Sequence, residues 1–191
     1  MKNLLIIILL LPLYSFSQKS GSLFSEYGRA LYVGYNNEIS ASASGVVKTS
    51  ITARGAGAVV TQENGLYKVK PLIPGSVNIT LIGTDPAGNS INFGVWRFSS
   101  ELLPRPALSN IHFKRDIGGI IDLHSFIDNV NYEIVGGKVG GIEFKGNALT
   151  SEILKNFDDE SGKELDLPLR VTAKNNCDKL EREYLYVIVL H

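Results

Sequence analysis

The residues of this sequence with chemical potential are few and scattered. Asp122-Leu123-His124-Ser125 places an acid, a base and a nucleophile within four residues. A working triad draws its members from separate elements that converge in space, and no G-x-S-x-G turn is present to expose a serine, so catalysis is not expected there. His112 and His191, the other two of three histidines, have no His or Cys at metal-ligand spacing, and zinc is not expected either. Cys177, the single cysteine, lies between Asn176 and Asp178 and reads as a free loop thiol. Asp158, Asp159, Glu160, Glu164 and Asp166 cluster around Gly162, but the oxygen ladder of a calcium loop needs a different spacing, and a solvated acidic turn is expected. Gly136-Gly137-Lys138-Val139-Gly140-Gly141 matches neither phosphate-binding glycine motif and reads as a flexible hairpin turn. The sequon Asn78-Ile79-Thr80 falls inside a strand pattern.

The N-terminus is the clearest functional signal. Lys2 precedes an apolar run, Leu4–Leu13, and small Ser15 and Ser17 stand before Gln18, the arrangement of a secretory signal cleaved after residue 17. The apolar stretch is shorter than the roughly 20 residues needed to span a bilayer. The expected location is therefore the periplasm or the exterior. Without Lys2 the chain carries 18 basic and 19 acidic side chains, and neither sign forms a block. That composition argues against nucleic acid or anionic membrane as the main partner, since both favour clustered Lys and Arg. With one cysteine no internal disulfide can form, so packing must supply the stability.

The elements that would hold these side chains are mostly strands. Glu38–Ser44, Val47–Arg54, Tyr67–Lys70 and Val77–Leu81 alternate apolar with polar, and Asn36-Asn37, Asn64-Gly65, Pro74-Gly75 and Asp85–Asn89 punctuate them as turns. Short strands at this spacing predict an Ig-like antiparallel β-sandwich over 29–101, after a polar, flexible lead at 18–28. In Ile91–Phe98 a bulge at Gly94 would return Trp96 and Phe98 to the core; without it Trp96 is exposed and available for binding. The prolines of Leu102–Pro106 mark a linker, and 107–191 reads as a second β-rich domain. It contains one helix starting at Leu149-Thr150-Ser151, with Thr150 as cap and Leu149 against Leu154 as staple. Leu165–Thr172 reads as an edge strand because of Pro168, and Tyr184–Leu190 as a central strand covered on both faces.

Several phrases resemble the C-terminal periplasmic region of the gliding-motility and type IX secretion protein GldM, called PorM in some species. Leu31–Ile39 is similar to its opening strand and turn, and Gly65-Leu66-Tyr67-Lys68-Val69-Lys70-Pro71 to its Gly-x-Tyr-x-Val-x-Pro strand. Trp96-Arg97-Phe98 followed by Leu103-Pro104-Arg105-Pro106 resembles the junction between its last two domains. Asn131-Tyr132-Glu133-Ile134, the helix starting at Leu149-Thr150-Ser151 and the closing apolar strand follow the order of its final domain. The resemblance implies two β-rich domains in tandem, a dimeric rod coupling an inner-membrane motor to an outer-membrane ring, and no catalytic residue. Family members begin with a transmembrane helix and two further periplasmic domains. Read without them, this chain is expected to be a stand-alone relative.

The resulting expectation is an exported, non-catalytic interaction or scaffold protein, without cofactor or metal, that binds another cell-envelope protein or a second copy of itself. Trp96, Asp158, Asp159 and Glu160 are the candidate contact residues. The alternative is a carbohydrate-binding or adhesive sandwich, with Tyr27, Tyr32, Tyr35 and Trp96 as a stacking platform.

Overall fold

A computed structural model of the protein describes residues 19–157 and 163–191. The signal segment 1–17 and the acidic residues Asp158, Asp159 and Glu160 lie outside the described residues. The protein is mainly β. Its first unit is a sandwich of two four-stranded sheets. One sheet orders β1 (Gly21–Ser25), β3 (Asn37–Ala43), β6 (Leu66–Lys70) and β5 (Val59–Glu63) side by side. The other orders β2 (Ala30–Tyr32), β8 (Ser90–Glu101), β7 (Gly75–Thr84) and β4 (Lys48–Arg54). The alternation read from the sequence decides what faces inward: Ile39, Tyr67, Val69, Val77, Ile79, Leu81 and Phe98 are buried, and the intervening polar residues look outward. The Tyr67 hydroxyl donates to the Thr49 carbonyl and ties the two sheets together.

Two expectations for this unit need correction. Residues 21–25 are not a loose lead; they form β1, which pairs along its whole length with β3, from Gly21 opposite Ala43 to Ser25 opposite Ile39. The polar composition hid a strand whose outward residues are Ser22, its Oγ 3.2 Å from Ser42 Oγ, and the exposed Phe24. Asn37 is a buried strand residue, not part of a surface turn. Its Oδ1 accepts the Tyr32 amide at 2.7 Å, and its Nδ2 donates to the carbonyls of Tyr32, Tyr35 and Val69. The bulge in β8 is present, with the register against β7 slipping between Leu81 opposite Gly94 and Ile82 opposite Asn92. Phe93, Trp96 and Phe98 all reach the core as a result, Trp96 half-buried.

The second unit is built on a five-stranded sheet. Its central strands are β13 (Tyr132–Val139), β16 (Leu165–Asn175) and β17 (Glu181–Leu190), flanked by β14 (Ile142–Lys145) beyond β13 and by the two-residue β10 (His112–Phe113) beyond β17. Leu167, Leu169, Val171, Ala173, Ile188 and Leu190 face a second core, covered by Phe113, Ile121, Leu123 and the helix α1 (Ser151–Leu154). Two short pairings, β9 (Ala107–Leu108) with β12 (Leu123–His124) and β11 (Gly118–Ile120) with β15 (Ala148–Thr150), complete the cover. Thr150 caps α1, its hydroxyl accepting the Ile153 amide, and Leu149 and Leu154 are both buried as a staple requires. The helix is one turn long and continues as a 3-10 turn, Lys155–Phe157.

Three readings of this unit change. The strand β16 is central, hydrogen-bonded to β13 on one side and β17 on the other. Pro168 is tolerated because its nitrogen faces the β13 side just where β13 has ended: its carbonyl accepts the Gly140 amide in the turn. The strand β17 is covered on one face only, since Leu185 and Val187 are 55% and 58% exposed. The glycine-rich segment is mostly strand: Gly136 and Gly137 belong to β13, and only Gly140-Gly141 turns. A Cβ on Gly137 would stand 2.0 Å from the Arg170 carbonyl oxygen, so glycine is needed there for strand approach.

Candidate interaction surfaces

The β17 edge follows from the backbone pattern. Val189 donates its amide outward to Ile111, so the alternate residues Val187, Leu185 and Glu183 aim their backbone groups at the same side. The strand β10 pairs only with Val189 and Leu190. Among the described residues, no strand pairs with β17 from Glu181 to Ile188 on that side. The exposed side chains of Leu185 and Val187 stand beside this open ladder, next to Pro168, which is the cross-strand neighbour of Val187. Three other edge strands are protected by charge: β4 carries Lys48 and Arg54, β5 ends in Gln62 and Glu63, and β14 presents Glu143 and Lys145.

The second surface is the junction. Glu101 accepts the Val33 amide, and Pro71 accepts that of Gly34. Gly34, at φ +74°, lies so close to the second unit that a Cβ would be 2.9 Å from Asp178 Cβ. The loop that approaches it is organised by Asp178, which accepts from Asn175, the Leu180 amide and both terminal nitrogens of Arg182. Burial pushes the Asp178 carboxyl up, but the Arg182 bonds and the Leu180 amide outweigh it and hold the group below the usual carboxylate range. Cys177, beside it, is half-buried, and burial raises its thiol pKa, the opposite of what a nucleophile needs. The linker is pinned to the second unit. Tyr186 donates to the Pro106 carbonyl at 2.8 Å, and the Arg105 guanidinium sits 4.3 Å over the Tyr186 ring.

The tyrosines do come together. Tyr27 meets Tyr32 and Tyr35 edge to face, at centroid distances of 5.1 and 6.3 Å. Trp96 is elsewhere, against the first core. Edge-to-face rings present no common flat surface for stacking. The Asp122, His124 and Ser125 side chains serve local structure. Asp122 accepts from Ser109, Ser125 accepts the Ile127 amide, and the His124 ring meets Phe126 edge-on. A pairing that the sequence spacing concealed is His112 with His191, 2.8 Å apart between Nδ1 and Nε2 and separated by 79 positions in the chain.

Among the described residues no helix is long and apolar enough to cross a membrane. No curated protein matches this chain. Among solved structures, the fibronectin(III)-like modules of Clostridium thermocellum CbhA are similar at 11% identity and a TM-score of 0.32, covering 88% of this chain and 93% of that one. The D00-D0 domain of intimin is similar at 12% identity and a TM-score of 0.31, covering 90% and 99%. The model of the GldM third domain matches residues 24–99, which run from β1 through β8. Over those residues the first sandwich of this chain is similar to the GldM third domain.

Proposed function

We propose that this protein is an exported, non-catalytic binding module of the cell envelope, a relative of the GldM/PorM C-terminal region, that recognises another envelope protein by adding an extended segment of it to the β17 edge. The observation that carries this reading is the unpaired ladder of Glu181–Ile188 with Leu185 and Val187 exposed beside it. Backbone pairing at such an edge supplies affinity, and the alternate side chains supply selectivity. The likeness of the first sandwich to the GldM third domain supports an envelope setting, and the sequence signal at residues 1–17 supports export.

The test is site-specific photocrosslinking in intact cells. A crosslinker at position 185 should give one discrete adduct that disappears in a Val187→Lys background. The same crosslinker at Ser50, on the shielded β4 edge, should give none. Adducts at 50 with none at 185 would move recognition to the first sandwich; no adduct at 185 under any condition would sink the edge reading.

A further inference from the structure

His112 and His191 face each other across the β10–β17 pairing with Nδ1 of the first 2.8 Å from Nε2 of the second. Their ring centroids are 5.0 Å apart and their planes inclined by 28°. On its other side, His191 Nδ1 lies 3.1 Å from Glu164 Oε1. That contact assigns the Nδ1 proton of His191 to the carboxylate and leaves Nε2 with its lone pair towards His112. A carboxylate holding one ring nitrogen of a histidine whose other nitrogen is free is the outer-shell arrangement of metal-binding imidazoles.

We propose that His112 Nδ1 and His191 Nε2 form a two-histidine site for an imidazole-preferring divalent metal such as Zn²⁺ or Cu²⁺, with Glu164 as the positioning residue for His191. Two nitrogens each about 2.0–2.1 Å from a common metal are separated by roughly 2.9–3.4 Å for angles between square and tetrahedral. With the centroids 5.0 Å apart for a 2.8 Å gap, both nitrogens lie near the line between the rings, so the gap must open and both rings must swing for their lone pairs to converge on one metal. Binding requires His112 to carry its ring proton on Nε2 instead of Nδ1, a tautomer change that releases no proton. Both rings lie at the surface, His112 exposed and His191 36% exposed at its side chain, so water can fill the remaining coordination positions. Among the described residues no group of three or more His, Cys, Asp or Glu side chains converges on one point, so the protein supplies two ligands and moderate affinity is expected. The ligands are 79 positions apart, so the site exists only when β10 is paired with β17. Metal would clamp β10 against the end of that strand and stabilise the folded second unit by mass action.

The experiment uses tag-free protein beginning at Gln18, titrated with Zn²⁺ and separately with Cu²⁺ by calorimetry at neutral pH, with thermal melts in metal and in chelator. The expected result is one metal per chain, Cu²⁺ tighter than Zn²⁺, with a melting temperature raised by metal. His112→Gln and His191→Gln should each weaken binding at least tenfold and abolish the metal-dependent shift, Glu164→Gln should weaken it about tenfold, and His124→Ala should leave it unchanged. Wild-type protein that takes up no metal at about 1 mM overturns the proposal. So does binding that survives His112→Gln and His191→Gln. Variants that lower the melting temperature equally with metal and with chelator would show that the pair is only a structural hydrogen bond.

Discussion

At the scale of single residues, two buried polar side chains do most to shape the surfaces. Asn37 makes four hydrogen bonds to backbone groups of three residues, and removing it strands the Tyr32 amide and several carbonyls away from water. At about 1–3 kcal/mol for each buried group left unsatisfied, Asn37→Ala should cost about 3 kcal/mol in the first unit, read by urea unfolding. Asp178 gives a pH dependence. Its carboxyl is held below the ordinary range in the folded state, so its contribution is complete above the unfolded value near pH 4 and is lost as pH falls through the depressed folded value. Wild-type stability should therefore drop below about pH 4. Arg182→Ala should cost about 3 kcal/mol at neutral pH by leaving a nearly buried charge alone, and should flatten the acid limb; an unchanged acid limb would remove Asp178 from this role.

At the scale of elements, β17 has two unlike faces. Tyr184, Tyr186, Ile188 and Leu190 meet the core, and Leu185 and Val187 meet solvent. Ile188→Ala should cost about 2–4 kcal/mol, whereas Val187→Lys should stay within about 0.5 kcal/mol of the wild type, the usual range for surface changes. Circular dichroism melts of both variants check this, and near-equal losses would mean that the outer face is covered. Gly137→Ala should disrupt the β13–β16 ladder, because the added methyl has no room against the Arg170 carbonyl. Its signature would be loss of amide-exchange protection in both strands.

At the scale of the molecule, the two cores share no residue: one is built from residues between Leu31 and Phe98, the other from residues between Phe113 and Leu190. Pro104 and Pro106 are hydrogen-bonded to the second unit through Tyr132 and Tyr186, whereas Leu102 is 50% exposed. Limited proteolysis should cut first near Leu102-Leu103 and release two fragments that each melt cooperatively. Protection of that bond until global unfolding would show that the junction at Gly34 makes one folding unit of both.

The sequence by itself determined the β class, the alternation that buries Tyr67, Val69, Val77, Ile79 and Leu81 and the cap at Thr150, and it offered the bulge that turns Trp96 inward as one of two alternatives. All of these follow from period and local chemistry within a few residues. It also carried the likeness of the first sandwich to the GldM third domain, since turns and patterned strands in a set order are themselves sequence. The tertiary structure alone decided which strands neighbour each other, because lateral order depends on contacts between distant segments. Hence Pro168 could suggest an edge where β16 is central, and the apolar run at 184–190 could suggest two buried faces where, among the described residues, Leu185 and Val187 are left exposed. The pairing of His112 with His191 belongs to the same class: spacing along the chain says nothing about two residues that meet only when β10 closes onto β17.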